Sequence, residues 1–236
     1  MNHHNWDRVT FDQAPGEHIG VWSPDGQVII YSAFLKGHEN IYRKTRSAGD
    51  ALVLIENSFD KEPTDWSPDG RFLLFTQADA GGAGDLWIYP LAGEGKPYPI
   101  AETRFNERNG RFSPDGRWIV YNSDESGQPE VYVRPFPGPG DRQQLSSGGG
   151  KRPHWSRDGR KLYYLTLDSK VMEIPITSNG NSARVGTARF LFSIAKDTEF
   201  EVFSEDKILL GQLIGSMSTS PIIVLNWEAD LINRKK

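Results

Sequence analysis

The 236-residue chain contains no cysteine, which excludes disulfides, thiol nucleophiles and Cys-ligated zinc without identifying a compartment. No stretch approaches the roughly 20 apolar residues needed to cross a bilayer, so no membrane span is expected. The start Met1-Asn2-His3-His4-Asn5-Trp6 has neither the basic nor the apolar segment of a secretory signal. As written, the chain reads as cytoplasmic, with a periplasmic location open if it is a processed fragment of something longer. A basic surplus is also missing: 27 Lys and Arg stand against 31 Asp and Glu, for a net charge of −4. Proteins that grip nucleic acid through its phosphates usually carry the opposite balance, so nucleic acid is not an expected partner. Helical periodicity is nowhere sustained, and His3-His4 is too short for a metal site.

What the chain does have is 24 Gly, 15 Pro and 7 Trp on a background that is 37% hydrophobic. That composition fits short strands joined by tight corners, with large aromatic anchors between them. Self-similarity supports this. Trp22-Ser23-Pro24-Asp25-Gly26, Trp66-Ser67-Pro68-Asp69-Gly70, Phe112-Ser113-Pro114-Asp115-Gly116 and Trp155-Ser156-Arg157-Asp158-Gly159 place their aspartates 44, 46 and 43 residues apart, and a degraded fifth copy, Phe203-Ser204-Glu205-Asp206-Lys207, follows after 48. Pro presets φ for the second position of a turn, Asp suits the third, and Gly accepts the positive φ needed to re-enter a strand. The recurring serines are read as turn acceptors, since no Gly-x-Ser-x-Gly elbow surrounds them. Arg157 gives up the Pro and Lys207 the Gly, so the fifth turn is expected to be loose or strained.

A run rich in β-branched and aromatic residues follows each corner, as in Trp118-Ile119-Val120-Tyr121. Third strands follow, as in Val131-Tyr132-Val133, and then more polar fourth strands, as in Arg142 to Leu145. Four antiparallel strands every 43 to 48 residues describe a β-propeller blade, which is not stable alone. The expected fold is therefore all-β: one domain over 1–236, a five-bladed propeller of four-stranded antiparallel blades at about 17–57, 60–103, 107–147, 151–194 and 198–227. The fifth unit has no fourth strand of its own. Residues 6–12, with Arg8-Val9-Thr10-Phe11-Asp12 at their centre, supply an unattached strand that completes it and removes the open sheet edges. Trp22, Trp66 and Trp155 are expected as anchors between blades.

These corners resemble those of the TolB-like, WD-repeat-related β-propeller family, whose blades carry an aromatic, then Ser-Pro-Asp-Gly, then a strand such as Trp118 to Ser123. The resemblance covers nearly all of residues 1–227 and implies the fold; one fold hosts many activities. The ending Pro221-Ile222-Ile223-Val224-Leu225-Asn226-Trp227 is similar to the last strand of propellers that follow bacterial serine/threonine kinase or DNA-binding modules. That resemblance implies a sensor or scaffold half of a larger signalling protein, although the chain has no kinase signature of its own. Such relatives more often have six or more blades, which leaves a closed five-bladed ring and the end of a longer propeller as two readings. The complementary ends favour closure.

In a propeller the first strand of every blade lines the central channel. The position before each corner aromatic holds Val21, Asp65, Arg111, His154 and Val202; two residues earlier stand Ile19, Pro63, Asn109, Arg152 and Phe200. Strand alternation points both rings the same way. Glu17, His18, Glu62, Glu107, Arg108, Lys151 and Glu199 come at the mouth. Charges gathered in a concavity are the raw material of a site, and equally of a mutually compensating lining. The leading expectation is a non-catalytic module, compatible with a monomer, that binds a protein, a peptide or a small anionic ligand. Arg111, Arg152, His154, Asp65, Asn109, Glu62, His18 and Glu17 would contact it. The rival is a hydrolase of phosphoester, lactone or ester substrates. There Asp65, Glu62, Glu17, Glu199 and Asn109 would hold a calcium-type ion, the cofactor that this rival alone calls for, with His154 or His18 as base. Arg111 and Arg152 would repel a cation and favour a carboxylate or phosphate. The Gly-rich stretches 79–85 and 148–151 are expected to be a hairpin tip and a connector.

Overall fold

The computed structural model describes residues 17–35, 37–46, 50–78, 80–93, 95–138, 140–179, 182–196, 198–204, 207–212 and 221–225. The chain forms two compact units, Met1–Phe105 and Asn106–Lys236, and all regular structure among the described residues is β.

The first unit holds two four-stranded antiparallel sheets in chain order. One contains β1 (Glu17–Trp22), β2 (Val28–Leu35), β3 (His38–Thr45) and β4 (Leu52–Ile55); the other contains β5 (Lys61–Trp66), β6 (Phe72–Ala78), β7 (Gly84–Pro90) and β8 (Tyr98–Ala101). Alternation gives each sheet two apolar faces. Ile30 and Ile41 of the first sheet pack with Leu73 and Phe75 of the second. The opposite face of the first sheet carries Tyr31 and Tyr42, directly paired and stacked at 5.8 Å.

The second unit begins with a sheet of β9 (Arg108–Phe112), β10 (Trp118–Ser123), β11 (Glu130–Pro135) and β12 (Gln143–Gln144). It repeats the tyrosine pair: Tyr121 lies opposite Tyr132, with rings 5.9 Å apart. The next sheet contains β13 (Lys151–Trp155), β14 (Lys161–Leu165) and β15 (Lys170–Asn179). Its fourth strand is β17 (Arg189–Ser193), which pairs with the first half of β15. The third strand runs on past Ile174 to Asn179, and its extension pairs with β16 (Ser182–Val185) as a two-stranded ribbon. The last sheet has three described strands, β18 (Thr198–Ser204), β19 (Lys207–Gln212) and β20 (Pro221–Leu225). The closing strand expected at 6–12, the Glu205-Asp206 turn and His3-His4 lie outside the described residues.

The four intact corners are built alike. In the first, the Ser23 hydroxyl donates to Asp25 Oδ1 at 2.6 Å and accepts from Val28 N at 2.9 Å, while Asp25 Oδ1 also accepts from Gln27 N at 3.1 Å. Gly26 closes the turn at φ 68°. The same three bonds recur around Ser67, Ser113 and Ser156. Arg157 does not weaken its corner: Gly159 N still donates to Ser156 O at 3.0 Å. Trp66 packs on the core shared with the preceding sheet, and Trp155 does the same. Trp22 opens the first sheet, with no described sheet before it, and is 43% exposed rather than a buried anchor.

Candidate functional site

The first strands carry the candidate residues, and each contains one residue too many for its partner. One extra residue interrupts the register between Glu17 and Gly20, between Pro63 and Asp65, between Arg108 and Arg111, and between Lys151 and His154. Such a bulge bends the strand and breaks strict alternation. At β9 and β13 the backbone turns left-handed, with Asn109 at φ 55° and Arg152 at φ 52°. Of the ring expected at Ile19, Pro63, Asn109, Arg152 and Phe200, the first four therefore do not continue the alternation of the positions before the corners, while Phe200, on a strand regular up to Val202, does. Asn109 and Arg152 are tied to a second strand instead: Asn109 Nδ2 donates to Asn122 Oδ1 at 2.8 Å, and the same oxygen accepts from Arg152 N at 3.4 Å.

In β18 the extra residue sits at the corner, between Val202 and Ser204. The consequence is a shift of one position. Arg111 pairs with Val120, His154 with Tyr163, Asp65 with Leu74 and Val21 with Ile30, each the third residue of its second strand. In the last sheet the residue opposite the third position, Leu209, is Glu201, and Val202 takes the register place of a corner aromatic. Glu201 thus stands where Val202 was expected.

The second unit brings three of these equivalent positions together, because β13 packs beside both β9 and β18. Glu201 Oε1 lies 3.3 Å from His154 Nδ1, and its Oε2 lies 3.7 Å from Arg111 Nη2. The His154 side chain is 8% exposed and that of Glu201 56%. The His154 ring stands edge-on to Phe200 at 4.7 Å, and the backbone carbonyl of Arg111 accepts from the Trp155 indole at 3.4 Å. Burial pushes the Glu201 carboxyl upward, but the His154 hydrogen bond and the charges of His154 and Arg111 outweigh it and hold it below the usual carboxylate range.

The other candidates are placed elsewhere. Asp65 and Glu62 lie on β5 in the first unit, where Asp65 Oδ1 accepts from its neighbour Trp66 N at 2.9 Å. Glu17 and His18 lie on β1 and Glu199 on β18, with side chains outside the described set. Among the described residues no three His, Asp or Glu side chains converge to hold a metal ion. The Gly148-Gly149-Gly150 stretch is a connector, with Gly149 N donating to Glu130 Oε1 at 2.7 Å.

A family model described as the TolB beta propeller domain matches residues 20–197. Among solved structures the chain is similar to TolB from Acinetobacter baumannii at 21% identity and a TM-score of 0.68, over 92% of this chain and 53% of that one. It is also similar to putative TolB from Agrobacterium tumefaciens at 21% identity and a TM-score of 0.63, over 77% and 69%. An oligogalacturonate lyase solved with manganese aligns at 15% identity and a TM-score of 0.63, over 90% of this chain and 67% of that one. At these identities the likeness is one of fold, and the chain spans about half the length of the Acinetobacter protein. The family match covers most of the chain, which belongs to the TolB β-propeller family.

Proposed function

We propose that this TolB-family chain is a non-catalytic recognition module whose first strands, in a ring of five blades completed by the segment 6–12, hold a carboxylate-bearing protein or peptide at the channel mouth. One observation carries the reading: the Glu201 carboxylate already lies between His154 and Arg111, side chains supplied by two other sheets. The place where three first strands meet is therefore chemically complementary to a carboxylate, and Glu201 acts as its resident occupant. Because Glu201 is more than half exposed, an incoming Asp, Glu or chain-terminal carboxylate can displace it at modest cost, since exposed ion pairs are worth only about 0–1 kcal/mol. Arg111 supplies the fork geometry suited to that group. In a larger signalling protein the same module would serve as the sensor half.

The test is fluorescence anisotropy of labelled acidic, neutral and basic peptides on the full chain. The acidic peptide should bind best. Arg111→Ala should weaken it about tenfold, the value of one charged hydrogen bond, and Glu201→Gln should strengthen it by removing the competitor. An acidic peptide that binds no better than the neutral one, or a Glu201→Gln variant that binds it more weakly, would overturn the reading.

A further inference from the structure

The outer strand of the first sheet, β4, is built like an inner one. Leu52 lies opposite Arg43 and Val53 opposite Tyr42 on β3, so the two side chains point to opposite faces of the sheet. Leu52 is 68% exposed and Val53 51%. The inner strands carry apolar residues on both faces in the same way, Ile30 with Tyr31 on β2 and Ile41 with Tyr42 on β3, and there all four are buried. An edge strand normally blunts itself with proline, charge or brevity, because its unpaired N–H and C=O groups are a template for another chain.

The other outer strands with described side chains have such devices. β8 exposes Tyr98 but places Pro99 beside it, a residue with no N–H to give a ladder. β12 is two exposed glutamines. β17 exposes Phe190 beside Arg189, whose guanidinium is held by the buried Glu173. In β4, Leu52-Val53-Leu54-Ile55 contains no proline, glycine or charge. Charge stands instead just beyond its two ends, in Asp50 and Glu56, both exposed and both negative. Glu56 also feels Lys61, but that ammonium is buried and turned to Asn40 and to the Asn57 and Phe59 carbonyls. Arg43, one strand further in, would stand two strand spacings, roughly 10 Å, from an added strand, a distance at which salt screens exposed charges.

We propose that β4 takes an extended segment of a partner protein as a fifth strand of its sheet, a short run of β-branched residues with Lys or Arg at each end. Main-chain hydrogen bonds along the edge supply the affinity, and the β-branched side chains cover Leu52 on one face and Val53 on the other. The basic ends meet Asp50 and Glu56. A second copy of this chain fits less well: with Val53 opposite Val53 of the copy, Asp50 would face Glu56 at both ends, and like charges directly opposite one another destabilise a strand pair. The edge belongs to the unit Met1–Phe105 and calls for basic residues, whereas the carboxylate site under Proposed function belongs to the other unit, so each can fail without the other.

The experiment is NMR of the ¹⁵N-labelled full chain, following the backbone N–H groups of Leu52 to Ile55 while adding acetyl-Lys-Val-Thr-Val-Thr-Val-Lys-amide. Those resonances should move saturably and exchange more slowly with solvent, while Gln143 and Gln144 on the edge of β12 stay unchanged. The same peptide with proline for its central valine breaks the ladder and should bind about tenfold more weakly. Glutamate in place of both lysines should weaken binding about fivefold, and Asp50→Asn/Glu56→Gln should remove that preference. Leu52→Lys/Val53→Lys, at two exposed positions, should melt normally and lose the peptide; if it melts early, the proline peptide on the native chain carries the test. No saturable movement at millimolar peptide would overturn the proposal. So would movement that misses β4, equal binding of the proline peptide, or a normally melting Lys variant that binds like the native chain. Slowed exchange at β4 that follows protein concentration without peptide, together with a dimer in sedimentation, would overturn the choice of occupant in favour of a second copy.

Discussion

Two connectors between consecutive sheets, one in each unit, are organised around buried charges of opposite sign. In the first, the Lys61 ammonium, 1% exposed, donates to Asn40 Oδ1 at 3.1 Å, to Asn57 O at 3.3 Å and to Phe59 O. In the second, Glu130, 2% exposed, accepts from Gly149 N at 2.7 Å, from Gln128 Nε2 at 2.8 Å and from the Ser146 hydroxyl. The task is the same in both: irregular backbone between sheets turns polar groups inward, and these must be paired. The sign of the hub follows from what the connector offers, carbonyl oxygens in one case and N–H and O–H donors in the other.

The comparison breaks most strongly at Glu130. Glu130→Ala strands the Gly149 N–H and the Gln128 amide beside a new cavity, and should cost about 3 kcal/mol, measured as a fall in denaturant midpoint at constant slope. Lys61→Met should cost less, about 1–2 kcal/mol, because it removes a desolvated charge and leaves behind carbonyls, which tolerate under-satisfaction better than N–H groups. Equal losses at the two sites would mean that donors and acceptors are not distinguished here.

A pH series sharpens the same contrast. Burial pushes the Lys61 ammonium down to about 8, from an ordinary value of 10.5. Between those two values the unfolded chain binds the proton that the folded chain has released, so stability should rise as pH climbs from about 8 towards 10.5, and Lys61→Met should abolish that rise. At the acid end stability again rises with pH, but there it is because folding favours the charged form rather than opposing it. Asp25 and Asp158 are held below the usual range by their corner serines and backbone N–H groups. In Asp69 the Ser67 hydroxyl and Arg71 overcome the upward push of burial, and in Glu201 the His154 and Arg111 contacts do the same. Their contribution is complete above the ordinary carboxylate values near 4 and is lost as pH falls through the lowered ones. Thermal melts from pH 5 to pH 2 check this, and a flat profile would contradict it.

How much of this was legible in the sequence depended on range. A corner is five residues whose chemistry is local, so Trp-Ser-Pro-Asp-Gly announced its own turn and the sheets that follow it. The ribbon of β15 and β16 has no corner motif; its signal is of another kind, Asn179-Gly180-Asn181 between two strand-like runs, a two-residue hairpin pair that counting by corners passes over. The site was legible only in part. Arg111 and His154 could be found by counting back from an intact corner, because four corners share one length. Counting back from the degraded corner led to Val202, because the extra residue there moves the register by one. Aligning on the second strand, from Lys207, would have reached Glu201. The buried hubs Lys61 and Glu130 depend on partners some 20 residues away, which no local pattern encodes.

The smallest expected effect lies in the corners themselves. Position 157 is the one intact corner without Pro, yet its hydrogen bonds match those of the other three. At Pro24, Pro68 and Pro114 the same turn is closed by a residue with no backbone N–H to give, so the turn asks for no donor at that place. Arg157 is also not among the residues with positive φ, as a Pro ring requires. Arg157→Pro then changes the unfolded chain more than the folded one, restricting it without removing a native bond, and should raise stability by about 0.4–1 kcal/mol. Calorimetry of the variant checks this. A loss of stability instead would show that the fourth corner reaches the same hydrogen bonds by a different backbone path from the three it resembles.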